Sequence, residues 1–304
     1  MSSDTSGNVG KEVQVDESPE QVSLADEDGE GSTEPTSPCT PYRPFPRVMN
    51  FYSQMSLSGL KYAHLCGDTK EDQLFVFGVH TGYSGNTPLG TRPGLILYNG
   101  LSHKDPILAG ACDESQWAAR VYAFNLKSVI LLPPVEAVQS SKEMVSELMT
   151  TTSNDEGGVS YFFTIEAGQG DKMERKRFEW RQFKKGDQGG VEKDGFKLLS
   201  RKSHPDALGE SSTSPSTAAA AAAVTAESSP SGALAMLTWA KLGSKINHPL
   251  SLEFADDTVS VLFGERWTLM VVITALRLWA LRTNGRGKKS TVAIAEKIRG
   301  KSAT

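Results

Sequence analysis

GERWTLMVVITALRLWALR, Gly264 to Arg282, decides the fold. From Trp267 to Leu281 it is apolar on every side of a helix except at Thr268, Thr274 and Arg277. A helix that is apolar all round is buried either in a protein core or in a membrane. A membrane span needs about 20 apolar residues, and this run is shorter. On insertion scales its Leu, Ile and Val residues offer roughly 2 to 4 kcal/mol, while Arg277 near the middle costs about 2.5 to 3.5 kcal/mol. The two nearly cancel, so the sequence favours a helix enclosed by protein over a C-terminal membrane anchor. An enclosed helix needs a wrapper, and the preceding chain supplies strands.

Those strands are short apolar runs bounded by Gly, Asn, Asp and Pro. They read as Gln73–His80, Gly94–Gly100, Pro106–Cys112, Ala118–Phe124, Ser128–Pro134, Val159–Ala167, Arg175–Phe183, Gly195–Arg201, Leu234–Leu242, His248–Phe254 and Thr258–Phe263. Their even spacing predicts an antiparallel meander. A meander closed into a barrel removes its sheet edges and can enclose an object, here the apolar helix. The expected fold is therefore mainly β, a β-barrel around a C-terminal hydrophobic helix.

Breaker-rich segments interrupt this pattern. The chain has 304 residues, 36 acids and 32 bases. Ten of the acids but only one base, Lys11, fall in the first forty residues, so the formal −4 splits into a tail of −9 and a body of +5. An acidic segment without aromatics buries too little surface to offset its chain entropy, which predicts disorder over 1–47. A second flexible insertion is expected at about 203–232, where Ala218–Ala223 is too short to nucleate a helix alone, and a loop at about 137–158. The barrel domain is placed at 48–282 and a basic disordered tail at 283–304. Ser18, Ser37, Thr40, Ser214 and Ser229 each precede a proline in these flexible stretches and suit proline-directed phosphorylation.

Some chemistries find little support. No apolar signal region follows Met1, so a secretory leader is not expected. Cys39, Cys66 and Cys112 are odd in number and widely spaced, as in a cytoplasmic or nuclear protein with reduced thiols. The five histidines lack metal-ligand spacing, and no cofactor is expected. In His80–Gly94, Gly85-Asn-Thr-Pro-Leu-Gly90 has the glycine spacing of a phosphate loop, but Thr91-Arg92 stands where Lys-Ser/Thr is required and a strand follows. An ordered hairpin loop is the preferred reading. The pairs Asp113/Glu114 and Asp256/Asp257 suit turns, since strand neighbours point to opposite faces. Cys112 and His80 form a nucleophile pair only if the fold brings them together.

The strongest basic cluster is Lys172, Arg175, Lys176, Arg177, Arg181, Lys184 and Lys185. Period two places Phe178 and Trp180 on one strand face, leaving Arg177, Glu179 and Arg181 on the other. The aromatics then pack inward and the arginines offer bidentate forks to phosphate, as in phosphoinositide headgroups. Arg92, with His80 and Lys104, is a second candidate for an anionic headgroup. Nucleic acid would want exposed aromatics, which this pattern buries. The basic end of the chain, including Arg286–Lys289, suits either an anionic membrane or a nuclear-localisation signal.

A strand meander followed by one hydrophobic helix resembles the tubby C-terminal domain and its relatives, the phospholipid scramblases and the LURP-one-related proteins. The likeness rests on architecture over about 51–281 and on the position of GERWTLMVVITALRLWALR. The chain also resembles a group of fungal proteins carrying HTGYSGNTPLGTRPG, DPILAGACDE and GERWTLMVV blocks. The resemblance implies a barrel threaded by its helix, and it carries no catalytic motif. The function expected is non-enzymatic binding of an anionic membrane lipid or a protein partner, in the cytoplasm and peripheral to a membrane, with the nucleus as an alternative. The other readings are a tail-anchored or scramblase-like membrane protein and an enzyme or accessory protein of a small-molecule pathway. The sequence does not specify an oligomeric state.

Overall fold

The computed structural model describes residues 44–53, 61–82, 87–114, 126–134, 144–153, 158–186, 193–201, 232–239 and 250–302. All of them belong to one unit, Cys39–Thr304. Twelve antiparallel strands run in chain order and close on themselves. They are β1 (Val48–Ser53), β2 (Tyr62–Cys66), β3 (Gln73–His80), β4 (Gly94–Tyr98), β5 (Ile107–Asp113) and β6 (Lys127–Leu132). Then follow β7 (Val145–Ser153), β8 (Val159–Ala167), β9 (Glu174–Phe183), β10 (Gly195–Arg201), β11 (Ala235–Trp239) and β12 (Leu250–Phe254). The seam pairs Val48 with Glu253 and Phe51 with Leu250. Closure leaves no open edge.

Three helices follow: α1 (Asp257–Phe263), α2 (Glu265–Thr283) and α3 (Lys289–Ser302). A helix with its side chains is about 10–12 Å across. Eight strands leave room only for side chains, so twelve leave a space that must be filled. Helix α2 fills it, and every residue from Trp267 to Leu281 is buried. Strand pleating supplies the matching lining. Tyr161 faces Trp180 and Phe163 faces Phe178 across β8 and β9, and all four are buried. Phe51 meets Trp279 at 4.9 Å, and Phe263 meets Trp267 at 4.8 Å. Among the inward polar groups, Trp180 Nε1 donates to Thr274 Oγ1 at 3.0 Å, whereas Trp267 Nε1 is buried without a hydrogen-bond partner. Fully burying a large apolar side chain is worth about 1.5–3 kcal/mol, so this continuous core is the main stabilising element.

Several expectations need correction. Thr258–Phe263, expected as a strand, lies in α1. Asp256 caps its start by accepting from Thr258 N at 3.0 Å, and Val259 and Phe263, four residues apart, are buried together. The helix stops at Gly264, whose φ of 86° turns the chain by 115° into α2. The stretch 137–158, expected as a loop, contains β7. Its inward positions include Glu147 and Thr151, so its pattern is not the apolar alternation that marks a half-buried strand. β1 and β2 also extend the barrel beyond the expected strands. The tail 283–304, expected as disordered, holds α3, which packs Val292 and Ala295 onto the core. At the front, 44–47 join the barrel: Phe45 packs on Phe75 at 4.8 Å, and Arg47 Nε donates to the Phe254 carbonyl. The proposed strand Ala118–Phe124, residues 1–43 and most of the 203–232 insertion lie outside the described residues.

Candidate anion-binding surface

Strand β9 carries most of the basic residues singled out above, but pleating and pairing divide them. Phe178 and Trp180 point inward with no exposed surface. Arg175, Arg177, Glu179 and Arg181 point outward, opposite Glu166, Thr164, Phe162 and Ser160 of β8. Glu179 is outward yet only 2% exposed, because cations cover it. Arg181 donates to it at 3.0 and 3.3 Å, Arg201 pairs with it from β10, and Ser160 Oγ donates at 2.8 Å. Arg175 reaches Glu147 at 2.6 Å and Glu166 at 2.5 Å. Burial works against ionisation of Glu166, but its hydrogen bonds and the charges of Arg175 and Arg266 outweigh it and hold the carboxyl below its usual value. Two of the arginines are therefore already neutralised by protein carboxylates. Arg177 instead lies over the Phe162 ring at 4.7 Å, beside a shallow outer groove of about 420 Å³ that Thr150 and Thr164 also line. Lys176 pairs with Glu174 at 3.6 Å and sits over the Phe263 ring.

The remaining lysines separate along the barrel axis. Lys172 precedes β9 and Lys184 and Lys185 follow it. At about 3.3 Å per residue, a ten-residue strand puts its two ends roughly 33 Å apart. One sequence cluster thus serves two opposite mouths. Strand direction assigns every loop to one of them. At the mouth where α1 sits, the described acids Asp68, Glu71, Asp72, Asp105, Glu147, Glu166, Glu174, Glu253, Asp256, Asp257 and Glu265 outnumber the bases Arg47, Lys70, Lys104, Lys172, Arg175, Lys176, Arg201 and Arg266.

The mouth where α2 ends has the opposite character. Its described bases are Lys61, Arg92, Lys127, Lys184, Lys185, Lys193, Arg277, Arg282, Arg286, Lys288, Lys289 and Lys297, against Asp113, Glu114, Asp194 and Glu296. Each of these four acids is engaged. Glu114 pairs with Lys127 at 3.1 Å, and Asp194 accepts from Lys185 N at 2.8 Å. Glu296 holds Ser153 of β7. Asp113 is buried between Arg277 at 2.5 Å and Arg286 at 2.7 Å, while Arg277 Nε donates to Ser128 Oγ at 2.9 Å. Lys184, Lys185, Arg282, Lys288, Lys289 and Lys297 are exposed. The C-terminus of α2 points at this mouth, and cations complement the negative end of a helix dipole. That effect fades within the last turn, so it accounts for Arg282 and Arg286 but not for Lys184 and Lys185.

The loop after β3 folds back over the outer wall. Leu89 covers Ile96, Cys112, Val129 and Leu131 in a small second core. His80 Nε2 shares a hydrogen bond with the Gly90 carbonyl at 2.8 Å, and Arg92 Nε donates to the Leu89 carbonyl at 3.1 Å. Arg92 thus braces the loop, five strands from β9 in the barrel order. His80 and Cys112 flank Gly94 on neighbouring strands. Two strand spacings, roughly 10 Å, separate them, too far for a hydrogen-bonded nucleophile and base. Burial pushes the Cys112 thiol up, although Arg92 and Arg277 oppose it. No cluster of His, Cys, Asp or Glu among the described residues could hold a metal ion.

The buried Asp113 triad, the Glu179 cage and the basic mouth were not identified from the sequence. Asp113 and Arg277 are 164 positions apart, and only the barrel register joins them. The separation of acidic from basic loops follows strand parity once the strands are known. Among the described residues no single helix is long and apolar enough to cross a membrane; α1 and α2 pass that test only as a pair, bent by 115°. No family model, curated protein or solved structure matches the chain.

Proposed function

We propose that this protein is a non-enzymatic module that binds anionic phospholipid surfaces through the mouth where α2 ends. The observation that carries the reading is the unequal division of charge between the two mouths among the described residues. At the basic mouth the described acids are consumed by internal partners, while Lys184, Lys185, Arg282, Lys288, Lys289 and Lys297 remain exposed. Each cation near an anionic leaflet contributes about 1 kcal/mol. Together they supply roughly 6 kcal/mol at low salt, enough for reversible binding on the order of tens of micromolar. Phosphoinositides, with more charge per headgroup, would bind more tightly than phosphatidylserine. In this reading the protein is cytoplasmic and peripheral to a membrane.

Vesicle co-sedimentation over a salt series tests this. K184E/K185E and K288E/K289E/K297E weaken binding to phosphatidylserine vesicles, whereas R175Q/R177Q leaves it unchanged, because Arg175 is already matched by Glu147 and Glu166 and Arg177 lies over Phe162 on the outer wall, away from the basic mouth. The opposite ranking would move the headgroup site to the outer groove beside Arg177.

A further inference from the structure

We infer that α3 is the element that enters the lipid interface, with Ile294 and Ile298 as its inserted side chains; this rests on the phospholipid-binding reading above. The orientation of α3 is fixed from within. Val292 and Ala295 are 3% and 5% exposed and pack on the barrel core. Glu296 accepts from Ser153 N at 2.8 Å and from the Ser153 hydroxyl. With that face held, Ile294 and Ile298 are turned to solvent, each 48% exposed. They stand four positions apart, so they are neighbours on one side of the helix.

A single exposed apolar residue is ordinary on a protein surface. Two stacked isoleucines on a helix that also exposes lysines are a different arrangement. Lys297 stands beside them and Lys288 and Lys289 are exposed at the start of the helix, at the mouth where the described cations outnumber the described acids. Apolar residues bordered by lysine are what a helix lying in the plane of an anionic interface presents. Its apolar side chains reach about 5–10 Å into the headgroup and acyl boundary while the lysines stay level with phosphate. Helix α3 has 14 residues and a length of about 21 Å, so it lies on the surface and does not span it. Charge complementarity selects an anionic bilayer as the occupant. A second copy of the chain, docking its acidic mouth here, is the competing occupant.

The test uses the full chain and vesicles and monolayers of equal parts phosphatidylcholine and phosphatidylserine. Wild type co-sediments and raises monolayer pressure. I294Q/I298Q keeps helix propensity and the charges, so it still co-sediments at low salt. It loses about tenfold in vesicle affinity at physiological salt and no longer raises the pressure. K288Q/K289Q/K297Q instead weakens the low-salt encounter, which Lys184, Lys185 and Arg282 then carry alone. If I294Q/I298Q penetrates like wild type, the inference fails while the lipid reading survives. If wild type ignores these vesicles, both fail. If wild type self-associates and I294Q/I298Q is monomeric, the face belongs to a second copy and the inference is overturned.

Discussion

Replacing Asp113 with Asn removes the charge that Arg277 and Arg286 share. Arg277 sits on the enclosed helix with its side chain 4% exposed, and Asp113 is 3% exposed. A buried cation without its counter-ion costs far more than the same cation in water, and breaking a buried pair from one side typically costs 3–5 kcal/mol. For D113N we expect about that loss. R277M is different. Asp113 keeps Arg286, whose Nη1 donates to both of its oxygens at 2.9 and 2.7 Å, and Met fills the vacated apolar space. The variant loses two hydrogen bonds, Nη2 to Asp113 and Nε to Ser128 Oγ, and packing offsets part of that, so the net loss is about 1–2 kcal/mol. In a domain of this size 1 kcal/mol shifts the melting temperature by roughly 2–4 °C, so D113N should melt about 10 °C lower and R277M only a few degrees lower. D113N/R277M should recover part of the D113N loss, since no unpaired Arg277 remains. Thermal and chemical denaturation of the four proteins gives the cycle. Equal costs for the two single variants, or strict additivity, would refute the assignment of Asp113 as the counter-ion of the helix.

Other outcomes follow from the same geometry. T274V removes the acceptor of Trp180 Nε1 and leaves a buried donor unmatched, a loss of about 1–3 kcal/mol measured by denaturant midpoint. G264A forces a Cβ onto a backbone at φ 86° and to 3.0 Å from the Gly168 carbonyl, so it should cost at least about 1 kcal/mol and disturb the α1–α2 turn. The Cys66 thiol is pushed up to about 11 by burial, with Asp72 adding to the effect. An unfolded cysteine ionises near pH 8.5, so the native state keeps a proton that the unfolded state releases. The Cys66 contribution to stability is therefore full below that pH and lost as pH rises towards about 11; wild type should lose melting temperature faster than C66A across this window. Native protein should also protect Cys66 and Cys112 from alkylation, both being fully buried, until denaturant is added.

The barrel was largely legible because closure and burial leave local marks. Val159–Ala167 alternates as a half-buried strand must, and Phe178 and Trp180 announce the inner face of β9. The run Trp267–Leu281, apolar on every side but for Thr268, Thr274 and Arg277, demanded an enclosure, which twelve strands supply. Where the reading missed, the deciding physics was not local. Strand β7 is a strand because β6 and β8 pair with it on both sides, although Glu147 and Thr151 spoil its pattern. Thr258–Phe263 has β-branched residues and strand length, but the Asp256 cap and the Val259–Phe263 spacing make a helix. Helix α3 is marginal on its own, and its order depends on Val292, Ala295 and Glu296 meeting the barrel. For the candidate site, sequence counted Lys172 through Lys185 as one cluster, whereas a strand that crosses the whole wall assigns them to opposite mouths and neighbouring carboxylates neutralise the middle.

Hydrogen–deuterium exchange of the full chain, with and without phosphatidylserine vesicles, tests the account most directly. It predicts that Trp267–Leu281 stays the most protected segment in both states, and that vesicles add protection at Lys184–Lys185 and along 282–298. Loss of protection in Trp267–Leu281 on adding vesicles, or new protection confined to the acidic mouth, would contradict it.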